Sequence, residues 1–435
     1  MQPEALVAAL RDNGCVRLLA KRLAPNDNSK NQIYLGGDYS AIQLLPFGDL
    51  VEDDAVVASS KRARLKASVS FSWVGGDGQV VPAPHANLIL YPKYPEVRLS
   101  GLLRGARGGA EEVIVSRDEG RWLFLGITKD ERIVGYACGR EDPCARWAEQ
   151  AGAEDPALGV FRELPLLPDD SRQRMRRKLR EIVEKGWIRS KRLDHDGEIC
   201  PCEAENCGGY TLEAEMDIRP NSRAEPDYDG WEVKQYAVKR LERPVGQQIT
   251  LFTPEPDGGV YTQDGVEAFI RQYGYPDVSG IVDRINFGGA HKFGVQHPRT
   301  KLTLAIDGWD GSKITSLSGG IRLLDCRDQV AASWSFASLI GHWRRKHAKA
   351  VYVPSIRRVA PVREYRYGGN VLVGLGTEFP LVLHSVMAGL VIYDPGIKLE
   401  HASGKPAIKR RSQFRILFRN LGSLYQSTEA WDVCK

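Results

Sequence analysis

Hydrophobic and polar positions alternate with a period of two along much of the first 160 residues. Between positions 66 and 74, Ala67, Val69, Phe71 and Trp73 interleave with Lys66, Ser68, Ser70 and Ser72, the pattern of a strand with one buried face. Gly75-Gly76-Asp77-Gly78 then predicts a turn, with 79–81 returning. Positions 85–91, 96–103, 111–116, 122–127 and 132–138 read as further strands, whereas 3–12 and 15–23 show helical spacing. Residues 1–160 are therefore expected to form a β-rich N-terminal domain.

A breaker-rich run from Leu164 to Asp170 opens a connector over 161–193. Its helix is capped by Asp170 or Ser171, has Met175, Leu179, Ile182 and Val183 on one face and arginines on the other, and stops at Gly186. Beyond it the periods mix. Strands are predicted at 231–236, 248–253, 301–306, 350–353, 371–374, 389–393 and 413–418, and helices at 210–217, 265–273 and 332–347. Residues 194–435 thus read as an α/β (α+β) domain, a mixed sheet flanked by helices.

The 435 residues, 42% hydrophobic and 26% charged, exclude wholesale disorder and allow two or three domains. The longest apolar stretch, 371–393, is broken by Glu378, Pro380 and His384, so no membrane association is expected. Nothing at the start reads as a secretory leader, and the eight cysteines are mostly far apart. Both point to a reducing cytoplasm.

The net charge of +5 says little, but its distribution says more. Residues 171–194, 340–369 and 405–419 together carry +20, leaving −15 for the rest of the chain. Such concentration suits a polyanion partner, although solvated helix faces produce similar runs.

The candidate chemistry lies at 208–236. If 231–236 is a strand, Glu232 and Lys234 share one face while Val233 points to the core. Asp227 precedes them at a turn marked by Asp229-Gly230, and Glu213 lies on the preceding helix. Asp227 and Glu232 are hard oxygen ligands suited to Mg²⁺, with Mn²⁺ as a substitute. Lys234 can orient or deprotonate a water and offset charge, and Glu213 adds a fourth polar group. The spacing alone also fits a surface hairpin with a salt bridge, but Glu232-Val233-Lys234 is the only Glu-x-Lys in the chain.

Gly209-Tyr210-Thr211-Leu212-Glu213, Pro226-Asp227 and Gly230-Trp231-Glu232-Val233-Lys234 resemble, in order, the motifs of the MvaI/BcnI type of restriction endonuclease. That family is a MutH-like branch of the PD-(D/E)xK nucleases. The resemblance covers roughly residues 195–425, and 248–253, 334–347 and 409–416 also look like members of it. It implies a catalytic set of Glu213, Asp227, Glu232 and Lys234. It also implies metal ligands from Asp227, Glu232, the Val233 backbone carbonyl and Glu213, and a monomer able to nick the strands of double-stranded DNA in succession. The setting it implies is prokaryotic restriction or defence, where a cognate methyltransferase is a candidate partner.

Candidate DNA contacts are Arg344, Arg345, Lys346 and Lys349 after one helix, Lys409, Arg410, Arg411 and Arg415 near a late strand, and Arg176 and Arg177 on the connector. Cys200, Cys202 and Cys207 with His195 upstream form a candidate zinc set, although their spacing is not a common one and free thiols are the competing expectation. His342 and Trp343 read as structural. Three other functions share these features: a nuclease whose N-terminal domain senses modified or unusual DNA, an inactive DNA-binding regulator, and an RNA-processing enzyme.

Overall fold

The computed structural model describes the chain except residues 26–31, 37–43, 53–63, 92–95, 107–109, 151–159, 167–170, 220–227, 243–247, 313, 317–318 and 345–348. It is a mixed, sheet-dominated α/β structure. Among the described residues, the N-terminal part holds two sheets. The first has six strands in the order Arg162–Leu164, Cys15–Arg22, Trp122–Thr128, Ile133–Cys138, Phe71–Val74 and Val80–Pro82. The second has five: Ile33–Gly36, Glu96–Ser100, Asn87–Tyr91, Leu65–Ser68 and Val51–Glu52.

Several expectations change here. Of residues 15–23, Cys15–Arg22 form a strand rather than a helix. Leu18 and Ala20 enter one apolar cluster with Phe124, while Leu19 enters another with Phe71 and Leu125. A strand buried on both faces loses the polar alternation that would identify it. The expected single strand at 66–74 is two strands, Leu65–Ser68 and Phe71–Val74, one in each sheet. Residues 111–116, rich in β-branched side chains, contain a short helix, Glu111–Val115. The buried Arg121 guanidinium donates to the Val113 carbonyl at 2.7 Å and the Ile114 carbonyl at 3.4 Å, satisfying the helix end.

The connector divides between the two parts of the molecule. Arg162–Leu164 belongs to the first N-terminal sheet, whereas helix Ser171–Glu184 buries Met175, Leu179 and Ile182 against the C-terminal sheet, as its periodicity predicts. That sheet runs Trp187–Arg189, Glu364–Tyr367, Lys349–Arg358, Asn370–Leu375 and Ser427–Asp432. Strand Glu232–Ala237 pairs parallel to Lys349–Arg358, with Glu232 opposite Ala350 and Lys234 opposite Tyr352. Helix Cys207–Glu215 packs on the Val233 face, where Leu212 and Met216 join Val233 and Val351 in one core.

Among the described residues, four small antiparallel sheets complete the C-terminal part. The expected helix at 332–347 is strand Val330–Ser335 followed by helix Phe336–Arg344. Ser335 makes the switch: its hydroxyl accepts from the Ser338 amide at 3.2 Å, capping the helix, and donates to Asp257 at 2.5 Å. Among the described residues, no helix is long and apolar enough to cross a membrane.

Candidate active site

Strand alternation delivers Glu232 and Lys234 to one face, as the sequence predicts. Lys234 Nζ donates to Glu232 Oε1 at 2.5 Å. Glu232 is 1% exposed, and its Oε2 is buried without a hydrogen-bond partner among the described residues. A buried carboxylate oxygen left without a partner costs about 1–3 kcal/mol, so this atom is suited to a ligand. A hard divalent cation satisfies a carboxylate of this kind. On the same side of the sheet lie the hydroxyls of Tyr352 and Tyr425, 2.7 Å apart and buried. Burial pushes Tyr352 up to about 12 against the opposing Tyr425 hydrogen bond and Lys234 charge, so both phenols stay protonated at neutral pH. Sequence reading missed this pair, because its two members are 73 residues apart and neither belongs to a motif.

Glu213 is half-buried on helix Cys207–Glu215, which packs against strand Glu232–Ala237. Close packing and side-chain hydrogen bonds hold that helix in place. A Cβ at Gly208 would lie 2.9 Å from Gln235 Oε1, so the residue's bareness permits the close approach. The buried Thr211 hydroxyl accepts from the Lys191 amide and donates to the Lys191 carbonyl, both at 3.1 Å. Neighbouring Glu215 is structural, since Lys185 and Lys191 both reach it at 2.5 Å. Asp227 lies outside the described residues. Among the described residues, no group of three or more His, Cys, Asp or Glu side chains is placed to hold a metal ion.

The candidate zinc set is not assembled. Cys202 and Cys207 are joined in a disulfide, so their sulfurs serve each other, and Cys200 Sγ lies 3.9 Å from Asp194. The disulfide also corrects the expectation of free thiols for two of the three. Trp343 is fully buried, as expected of a structural residue.

Many basic side chains already have protein partners. Lys349, read as a DNA contact, is only 9% exposed and binds Glu163, because it opens a central strand and points into the protein. On the connector helix, Arg172 pairs with Glu429, Arg174 with Asp229 and Lys178 with Asp217. Arg176 reaches the Asp432 carbonyl at 3.2 Å and lies over the Trp431 ring, and Arg180 reaches the Val433 carbonyl at 2.6 Å. Arg177 is exposed. Arg415 binds Asp394 at 2.7 Å. Lys409 is 69% exposed and pairs with Glu400, and Arg410 and Arg411 are exposed. The Arg344 side chain, Arg345 and Lys346 lie outside the described residues.

The sequence pattern of the MvaI/BcnI restriction endonuclease family matches residues 176–425, more than half of the chain. Among solved structures, this chain is similar to "Restriction endonuclease MvaI-cognate DNA substrate complex", with a TM-score of 0.45 and 17% identity over 60% of this chain and 99% of that one. It is also similar to "Restriction endonuclease MvaI in the absence of DNA", with a TM-score of 0.34 and 18% identity over 61% of this chain and 100% of that one. No curated protein matches.

Proposed function

The chain belongs to the MvaI/BcnI restriction endonuclease family, and from that premise we propose how its own residues hydrolyse DNA. The family makes it a DNA endonuclease of restriction type. The finer reading is a Mg²⁺-dependent enzyme for double-stranded DNA, centred on the ribbon that carries Glu232 and Lys234. The observation that carries this reading is the state of Glu232: buried, with one oxygen on Lys234 and the other without a partner among the described residues.

Glu232, Asp227, the Val233 carbonyl and Glu213 are the groups that would hold the ion. When bound, a divalent ion supplies Lewis-acid polarisation of a phosphate oxygen and lowers the pKa of a coordinated water. The chain's own part is placement. The parallel pairing with Lys349–Arg358 holds Glu232 and Lys234 on one face. From there Lys234 can orient the attacking water, take up its proton and offset negative charge beside the phosphate. Buried Tyr352 and Tyr425 form a neutral floor that adds no competing negative charge.

Purified protein with Mg²⁺ is expected to nick or cut duplex plasmid DNA. Asp227→Ala, Glu232→Gln and Lys234→Met should each slow cleavage by about a hundredfold to a thousandfold, while thermal melts show the fold intact. Cleavage by Asp227→Ala at the wild-type rate would remove the assignment. Digesting unmodified and methylated plasmids side by side tests whether the N-terminal domain makes cleavage depend on DNA modification.

A further inference from the structure

A buried ionic network joins the N-terminal sheet to the strand beside Glu232. Arg17 on strand Cys15–Arg22 donates from Nε to Glu163 Oε1 at 3.0 Å. The other oxygen of Glu163 accepts from Lys349 Nζ. Lys349 is the first residue of strand Lys349–Arg358, and the next residue, Ala350, is in register with Glu232. The three residues before Glu232 are each touched by this network or its neighbour. Lys349 Nζ stands 5.7 Å from the Trp231 ring centroid. A Cβ at Gly230 would lie 3.0 Å from Arg17 Cδ. Asp229 is held by Arg174, whose Nε donates at 2.8 Å.

The side chains of Arg17, Glu163 and Lys349 retain only 10%, 21% and 11% of their exposure. Removing charges from water is costly, and a buried ion pair is rarely retained for net stability alone. Its established use is to specify one arrangement among several. Here the arrangement specified is the path of the chain immediately before Glu232. An apolar core strengthens the junction. Phe161, next to strand Arg162–Leu164, belongs to a contiguous cluster that also contains Tyr236 and Tyr352.

We propose that Glu163, with Arg17 and through Lys349, is a positioning residue for Glu232 and Lys234, so that the N-terminal domain sets the geometry of the catalytic ribbon. The inference rests on the nuclease reading above. It makes the N-terminal domain a part of the cleavage machinery, and any partner that shifts its sheet against strand Lys349–Arg358 shifts the ribbon as well. A side chain that only stabilised the fold would change melting and leave the chemistry of folded molecules alone. A positioning side chain changes the rate in molecules that remain folded and bound.

The experiment uses the full chain as wild type, Glu163→Gln, Lys349→Met and the double variant. Single-turnover DNA cleavage is measured at saturating protein, with melting temperature and Ca²⁺-supported DNA affinity alongside. Each single variant is expected to slow cleavage by about tenfold to a hundredfold and to raise the Mg²⁺ concentration at half-maximal rate, with DNA affinity nearly unchanged. The double variant, which removes the Lys349 charge that Glu163→Gln alone would strand, is expected to recover part of the rate. Single variants that are folded and cut at the wild-type rate would overturn the proposal, as would rate losses that only follow the folded fraction. Should the wild type cut no DNA, the nuclease reading fails by itself. Calorimetric Mn²⁺ titration of the DNA-free protein then decides: weaker binding by Glu163→Gln supports the positioning role, and unchanged or absent binding removes it.

Discussion

The carboxylate of Glu163 illustrates how much one residue depends on its surroundings. Burial alone would raise its pKa, but Arg17 and Lys349 outweigh that and hold it at about 2, against an ordinary 4.5. A depressed folded-state pKa contributes stability that is fully present above about pH 4.5 and is lost as pH falls toward about 2. Glu163→Gln should therefore lower the melting temperature at neutral pH, by an amount corresponding to about 3 kcal/mol, the low end for breaking a buried pair. The gap from wild type should narrow below about pH 4.5. Thermal melts of both proteins across acidic pH check this, and a gap independent of pH would show that Glu163 acts through packing. None of this was legible locally, since Glu163 is 146 residues from Arg17 and 186 from Lys349. Glu232 and Lys234 were legible because their relation is local: residues two apart on a strand share a face whatever surrounds them.

Helix Cys207–Glu215 shows the same division among elements. Its position in the sequence was readable from spacing, and the Gly-x-Thr-Leu-Glu resemblance placed Glu213 on it. Why a threonine stands in that motif emerges only from packing, where the Thr211 hydroxyl ties the helix to Lys191 through both its donor and acceptor functions. Thr211→Val keeps the shape and removes both bonds. It is expected to cost about 1–3 kcal/mol, read from the urea midpoint, and to reduce cleavage by the folded protein because Glu213 loses its support. An unchanged midpoint would show that water replaces the hydroxyl. Misread elements share a different cause. Residues 15–22 lie between two cores, and Glu111–Val115 ends on the buried Arg121 guanidinium. In both, tertiary partners override local pattern and propensity.

Across the whole molecule, clustered charge proved an incomplete guide to a nucleic-acid surface. The block at 171–194 is largely engaged with Glu429, Asp229, Asp217, Glu215 and the carbonyls of the last strand, so much of its charge serves assembly. The block at 405–419 exposes Lys405, Arg410, Arg411 and Arg419. Replacing Lys409, Arg410 and Arg411 together by Ala should weaken duplex binding and reduce the slope of log affinity against log salt by roughly 0.9 for each phosphate that is no longer neutralised. Arg174→Ala should instead lower stability and leave that slope unchanged. Binding isotherms at several salt concentrations separate the two, and equal slope changes would contradict this division of the basic blocks.

By itself the chain determined that Glu232 and Lys234 share one face of a strand, the mixed α/β class of its larger part and the family resemblance, because these depend on spacing over a few residues and on motifs met in order. Only the tertiary structure decided that Lys349 is buried, that Cys202 and Cys207 are joined, that residues 15–22 are a strand, and that the N-terminal sheet reaches the ribbon. Those outcomes depend on burial and on pairings between side chains up to 186 residues apart, and no local pattern records which distant groups will meet.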